Sequence, residues 1–278
     1  MTDPMITTDA LAALIGAPDL KIVDASWHMD GRDGRALYQQ AHIPGALFFD
    51  IDGISDKSSP LPHMLATPEA FAAAVGALGI SERDDIVVYD QAGLFSAARA
   101  WWNFRIMGAE RVRVLDGGLP KWIAEGRPVE TGVAKPEPVA FRATMRPALL
   151  KDFDAVKRNI EAPAFQLLDA RSAARFRAEA PEPRAGLRGG HVPGSVSLPF
   201  GTVLNADGTM KDAAALAQVF DTAGVDQSCP LAASCGSGVT APIVALALAR
   251  LGREDVAIYD GSWTEWGGRE DAPVATGA

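Results

Sequence analysis

The chain is poor in the residues that usually advertise chemistry. It has 278 residues, of which 2 are cysteine and 4 are histidine. Two cysteines cannot build a disulfide framework, so a reducing compartment is the natural expectation. The spacing of Cys and His offers no metal site, and neither a Gly-x-Gly-x-x-Gly fingerprint nor a P-loop is present, so no cofactor is implied. Positive charge is also scarce: Lys and Arg total 26 against 35 Asp and Glu, a net charge of −9. That balance argues against nonspecific binding to nucleic acid or to an anionic membrane. An anionic substrate would need a local arginine cluster working against the overall field. The first ten residues lack a basic stretch followed by an apolar core, so no signal peptide is visible. No apolar run approaches the ~20 residues of a membrane span. The expected location is the cytoplasm.

What is present is a globular composition, 48% hydrophobic and 22% charged. Such a chain can bury a core, and its length suits one large or two ordinary domains. Internal repetition decides for two. Val23-Asp24-Ala25 recurs as Leu168-Asp169-Ala170, and His42-Ile-Pro-Gly-Ala46 as His191-Val-Pro-Gly-Ser195. Val88-Tyr89-Asp90 aligns with Ala233-Ser234-Cys235, and Leu115-Asp116-Gly117-Gly118 with Tyr259-Asp260-Gly261-Ser262, each of the last two followed by a tryptophan, Trp122 and Trp266. Four matches in one order, at a nearly constant offset, indicate a duplicated domain. The division is 1–130 for the first copy, 131–148 for a linker and 149–278 for the second copy. The proline-bearing stretch Gly126 to Pro147 is long enough to wrap rather than merely join.

Each copy alternates strand and helix. Lys21–Asp24, Ala46–Phe49, Ile86–Tyr89 and Val112–Leu115 read as strands in the first copy. Gln166–Asp169, Leu231–Ser234 and Val256–Tyr259 are their counterparts in the second. Thr67-Pro68-Glu69 opens a helix that ends at Gly79, and Phe95–Met107 has helical length. Asp212–Thr222, Val239–Leu251 and a short piece from Ser262 are the helices of the second copy. Short apolar strands alternating with helices predict an α/β fold, each copy a mostly parallel sheet with helices on both faces. The Asp of each Asp-Gly pair is expected to cap a turn, His42 and His191 to hold structural turns, and Trp101, Trp102, Trp122, Trp263 and Trp266 to anchor the packing.

The chemistry concentrates in Cys235-Gly-Ser-Gly-Val-Thr240, a tight loop between a strand and a helix that holds Pro242 and closes at Gly252. Its glycines let backbone N–H groups turn inward, and the helix adds its positive end. Both favour the thiolate, the nucleophilic form of cysteine. Cys229, with no such loop, reads as a small core residue. The first copy carries Asp90 at the place of Cys235, so one copy is chemically retired and Cys235 is the single active cysteine.

The paired His-Ile/Val-Pro-Gly and Asp-Gly-Gly/Ser…Trp motifs, with Cys-Gly-Ser-Gly-Val-Thr, resemble the two-domain rhodanese-like sulfurtransferases across nearly the whole chain. The loop looks like that of the members that use 3-mercaptopyruvate. Members that use thiosulfate typically carry Arg-Lys after the cysteine, where Gly236 and Ser237 stand here. Adjacent cations suit a dianion, whereas a neutral loop suits a monoanionic 2-oxo acid gripped elsewhere. The resemblance implies that Ser237, His63 and Asp52 form a proton relay. His63 and Ser237 sit in different copies, so the relay requires the site to draw on both. It further implies that Arg175 and Arg184 hold the substrate carboxylate and carbonyl. Guanidinium forks suit that task, although Glu179 and Glu182 could simply pair with them, and Arg171, Arg177 and Arg188 are close competitors.

The expected reaction moves the sulfur of 3-mercaptopyruvate to Cys235 as a persulfide, with Gly236, Gly238, Val239 and Thr240 steadying the charge. Pyruvate leaves, and a thioredoxin-like protein, a small thiol or cyanide takes the sulfur. Three alternatives remain: thiosulfate as donor, a Cys-dependent phosphatase, and a non-enzymatic persulfide carrier. A phosphatase needs Cys-x5-Arg, and Ala241 stands where that arginine would be. A carrier has no need of two oxo-acid-binding arginines.

Overall fold

The computed structural model describes residues 3–277. Ten short strands form two five-stranded sheets, and every neighbouring pair is parallel. In the first, β1 (Met5–Ile6), β2 (Leu20–Asp24), β3 (Leu47–Phe48), β4 (Asp85–Tyr89) and β5 (Val112–Leu115) lie in the order β1-β5-β4-β2-β3. In the second, β6 (Leu150–Lys151), β7 (Gln166–Asp169), β8 (Val196–Ser197), β9 (Leu231–Ser234) and β10 (Ala257–Tyr259) repeat it as β6-β10-β9-β7-β8. The duplication read in the sequence is therefore a duplication of topology. Parallel strands need crossovers, supplied here by helices around each sheet. These are α1 (Thr8–Leu14), α2 (Gly34–Gln40), α3 (Pro68–Ala77), α4 (Ala97–Ile106) and α5 (Gly118–Ala124), then α6 (Phe153–Glu161), α7 (Ala173–Phe176), α8 (Ala213–Thr222), α9 (Ala241–Arg250) and α10 (Ser262–Trp266).

Local chemistry sets several helix ends. Thr67 caps α3 with Pro68 in its first turn, and Gly79 leaves at φ 69°. Asp212 and Asp152 cap α8 and α6. Helices α5 and α10 open on Gly117 and Gly261 as their N-cap residues, directly after Asp116 and Asp260. Gly117 adopts φ 82°, and the Asp116 carboxylate accepts from the Met210 N–H at 2.8 Å.

The chain divides into two compact units that differ from the boundaries expected of the sequence by two short exchanges. The first unit holds the described residues up to Ser58, then Leu65–Arg146 and Ala206–Met210. The second holds Ser59–Met64, Pro147–Asn205 and the residues from Lys211 onward. The proline-rich stretch after Gly126 runs along the first unit. Val139 N–H donates to Gly76, Thr144 N–H to Met107 and Arg146 N–H to Ile106, and Phe141 packs on Phe71 at 5.5 Å between ring centroids.

Each unit has its own aromatic core. Tyr38, Phe48, Tyr89 and Trp122 lie in the first, and Phe153, Tyr259, Trp263 and Trp266 in the second. The indole N–H groups of Trp122 and Trp266 donate to equivalent carbonyls, those of Pro128 at 2.7 Å and Pro273 at 2.8 Å. The two turn histidines are structural: the Nδ1 atoms of His42 and His191 bond the carbonyls of Tyr38 and Phe176, and both rings stack on aromatic neighbours. No helix among the described residues is long and apolar enough to cross a membrane.

Candidate active site

Strand β9 delivers Cys235 to the carboxyl end of the second sheet, where ligands of open α/β sheets gather. The sulfur-bearing residue is buried, and the loop Cys235–Thr240 leads directly into α9. Gly238 at φ 78° makes the bend that a side-chain-bearing residue would resist. Gly236 lies close to Arg175: a Cβ there would come within 3.1 Å of Arg175 Nη2. The guanidinium of Arg175 thus lies against the cysteine loop.

The retired copy shows what such a loop binds. Asp90 is buried, and its carboxylate accepts four backbone hydrogen bonds, from Ala92 at 2.8 Å, Phe95 at 2.7 Å, Ser96 at 2.8 Å and Ala97 at 2.8 Å. The loop between strand and helix is an anion cradle, filled in the first copy by the chain's own side chain.

The turn after β10 clamps the cysteine loop from behind. Trp263 N–H donates to Cys235 O at 2.9 Å, and Thr264 donates to Gly236 O through its N–H at 2.8 Å and its hydroxyl at 2.6 Å. Ser262, which the sequence reading treated only as part of a structural turn, accepts from Cys235 N–H at 3.1 Å.

Among the arginines, Arg175 lies against the cysteine loop, and Arg171, Arg177 and Arg188 are held by other partners. Arg171 is fully buried, forked onto Asp169 at 2.6–3.1 Å, bonded to Glu182 at 2.8 Å and stacked on Trp263 at 4.1 Å. Arg177 pairs with Glu179 at the surface, and Arg188 ties down the carbonyls of Gly267, Ala272 and Trp266. Arg175 pairs with Glu182 at 2.5 Å through Nη2, with Nε at 3.2 Å from the same carboxylate. Pairing with Glu182 and proximity to the loop, posed as alternatives by the sequence, both hold. The Nε–Nη2 edge of the fork is taken by Glu182.

His63 and Arg184, more than a hundred residues apart, come together inside the second unit, with Arg184 Nη2 to His63 Nε2 at 3.4 Å. His63 is buried and adopts φ 62°. Ser237, also buried, belongs to the same unit. Asp52 belongs to the first unit, where its carboxylate accepts from the Trp27 indole at 3.0 Å. Cys229 is not the core residue expected: it is half-buried beside a cleft of about 530 Å³, its thiol 3.2 Å from Asp226 O, because it follows β9's preceding turn rather than a strand.

A family model described as Rhodanese-like domain matches residues 7–125 and 152–269, one match per copy. The 3-mercaptopyruvate sulfurtransferase of Homo sapiens is 45% identical over 93% of this chain and 88% of its own. The thiosulfate sulfurtransferase of Bos taurus is 45% identical over 94% and 91%. The crystal structure of a 3-mercaptopyruvate sulfotransferase from Escherichia coli superposes with a TM-score of 0.87 at 40% identity, covering 94% of this chain and 99% of that one. Relatives named for either donor are thus equally similar, and the site must discriminate between them. With its matching order of strands, its cradle loops and its two copies, the chain belongs to the rhodanese-like domain family.

Proposed function

We propose that the protein is a sulfurtransferase that takes sulfur from 3-mercaptopyruvate, carries it on Cys235 and hands it to a thiol acceptor. The observation that carries this reading is the chemistry beside the nucleophile. Gly236 and Ser237 supply no cation, and the nearby Arg175 is already half-neutralised by Glu182. Such a site suits a monoanionic 2-oxo acid better than a dianion.

The Cys235 thiolate attacks the substrate sulfur, forming an S–S bond as the C–S bond breaks. The electron pair goes to carbon as pyruvate enolate, which takes a proton and leaves as pyruvate. Arg175 and Arg184 hold the carboxylate and carbonyl, and the backbone N–H groups of Gly236, Gly238, Val239 and Thr240 cradle the charge on sulfur. Ser237 and His63 manage the proton, with Asp52, on the sequence resemblance, as the acidic member of the relay. General acid–base assistance of this kind contributes about 10²–10⁴-fold. Acceptor thiolate, from a small thiol or a thioredoxin-like protein, then attacks the outer sulfur and regenerates the Cys235 thiolate; cyanide gives thiocyanate by the same step. Both cysteines are free thiols, which suits the cytoplasm.

The test is a donor comparison. Thiocyanate formed from cyanide is quantified with 3-mercaptopyruvate or thiosulfate as donor, and the protein is weighed after donor alone. Mercaptopyruvate should win by orders of magnitude and add one sulfur at Cys235, and Cys235→Ser should be inert. Ser237→Ala should slow mercaptopyruvate turnover far more than thiosulfate turnover. A preference for thiosulfate would overturn the roles given to Ser237, His63, Arg175 and Arg184, and no transfer from either donor would favour a persulfide carrier.

A further inference from the structure

Three non-glycine residues among those described adopt positive φ: His63, Ala178 and Ser262. His63 belongs to the proposed relay, and Ala178 follows the helix that carries Arg175. Strained backbone of this kind collects where a site demands it. Ser262 has no such explanation from the sequence. It sits at φ 49°, is wholly buried, and its hydroxyl has one proton and three polar neighbours. Oγ accepts from Cys235 N–H at 3.1 Å, donates to Tyr259 O at 2.8 Å and lies 3.9 Å from Cys235 Sγ.

The retired copy serves as an internal control. Leu119 N–H donates to Asp90 O at 3.0 Å just as Trp263 N–H donates to Cys235 O at 2.9 Å, so Gly118 is the structural equivalent of Ser262. Gly118 adopts nearly the same left-handed φ, 54°, at no steric cost. A Cβ there would lie 2.5 Å from Asp90 O and 2.8 Å from Gly93 O, so the first loop closes down on the glycine. The second loop stands off far enough to admit a side chain, and the side chain admitted is a hydroxyl bonded to the nucleophile's own backbone.

We propose that Ser262 is a positioning residue for Cys235. Its hydroxyl draws the Cys235 N–H back toward the β10 turn, fixes the Cα–Cβ direction and keeps a donor within reach of the sulfur. When Sγ is a thiolate, the single hydroxyl proton has a charged acceptor to turn to in place of Tyr259 O. In the copy that carries no sulfur, glycine suffices. Arg175 with Glu182, and Arg184 with His63, are charged groups of the same unit, and none of them touches position 262's hydroxyl.

The test uses the full chain in a Cys229→Ser background, leaving one thiol. The pH dependence of Cys235 alkylation by iodoacetamide is followed by intact mass for the parent, Ser262→Gly and Ser262→Ala. Ser262→Gly relieves the backbone constraint, so it should fold with an unfolding midpoint no lower than the parent's. Its half-maximal alkylation should nevertheless move to higher pH. Its kcat with mercaptopyruvate should fall by about 10–100-fold, the size of one lost hydrogen bond to a charged group, with KM within about twofold. Ser262→Ala should show the same pH displacement, together with lowered stability. Superimposable alkylation profiles for parent and Ser262→Gly would overturn the proposal and leave Ser262 a packing residue. The alkylation arm needs no sulfur donor, so it stands or falls separately from the choice of mercaptopyruvate.

Discussion

Asp24 and Asp169 hold the same place in the two copies, at the ends of β2 and β7, and face opposite electrostatics. Asp169 is neutralised by the buried fork of Arg171. At the position of Arg171 the first copy has Ser26, so Asp24 is buried with hydrogen bonds from Ser26 N–H at 2.9 Å and Gln91 Nε2 at 3.2 Å but no cation bonded to it. Burial raises its pKa from 3.8 to about 6, against the opposing pull of its hydrogen bonds with Ser26 and Gln91. A carboxyl whose folded pKa lies above its unfolded value binds more protons when folded. Stability is therefore lost as pH rises from 3.8 through about 6 and stays lost at neutral pH. Asp24→Asn should stabilise the protein at pH 7.5, by an amount on the order of 3 kcal/mol at most. Gln91 can turn its amide over to meet the new donor. Urea unfolding at pH 7.5 and 4.5 checks this: the gain should shrink at the lower pH, and a pH-independent gain would assign it to something other than charge.

At the scale of elements, the unit of function is a loop clamped between a strand end and a helix start. The same element is built twice with different fillings, a carboxylate in one and a thiol in the other. In the first copy the filling is part of the fold. Asp90→Ala would remove the acceptor of four N–H groups, of which those of Ser96 and Ala97 are buried and worth ~1–3 kcal/mol each when unsatisfied, though such losses are not additive. The expected outcome is a marked fall in unfolding midpoint, partly restored by formate in excess. Restoration by chloride and formate alike would point to general screening rather than occupancy of the cradle. The clamp itself, Trp263 and Thr264 on Cys235 and Gly236, is backbone-directed and so invisible to motif reading. Its sequence trace is the Asp-Gly-Ser turn, which periodicity assigns to structure alone. The two-residue strands β1, β6 and β8 carry no periodic signal for a related reason. Two residues are too few to show alternation, and pairing to a neighbouring strand decides them.

On the scale of the whole molecule, each unit has a hydrophobic core of its own among the described residues. Substitutions should therefore register in the unit that contains them. In scanning calorimetry Asp24→Asn should move the unfolding of the first unit upward. Arg171→Met should move that of the second downward, since it strands the buried carboxylate of Asp169 and leaves Glu182 to Arg175 alone, a loss of ~3–5 kcal/mol for a broken buried pair. One transition displaced by both substitutions would mean that the units melt together.

The sequence by itself determined the duplicated α/β architecture, and it singled out Cys235 as the candidate nucleophile with Asp90 in its place in the other copy. These follow from local facts: apolar runs at strand length, glycines where the backbone must reverse, and a carboxylate facing a thiol at equivalent places. It also held both members of the Arg175 question without deciding between them. Only the tertiary structure decided that Glu182 and the cysteine loop share Arg175, that His63 from the first half of the chain meets Arg184 in the second unit, and that Arg171 is a buried strut. Only there does Ser262 emerge as a hydroxyl against the nucleophile. Such assignments depend on which side chains share a desolvated space. Strand order and loop closure bring those side chains together across the sequence, and no spacing along the chain encodes the distance.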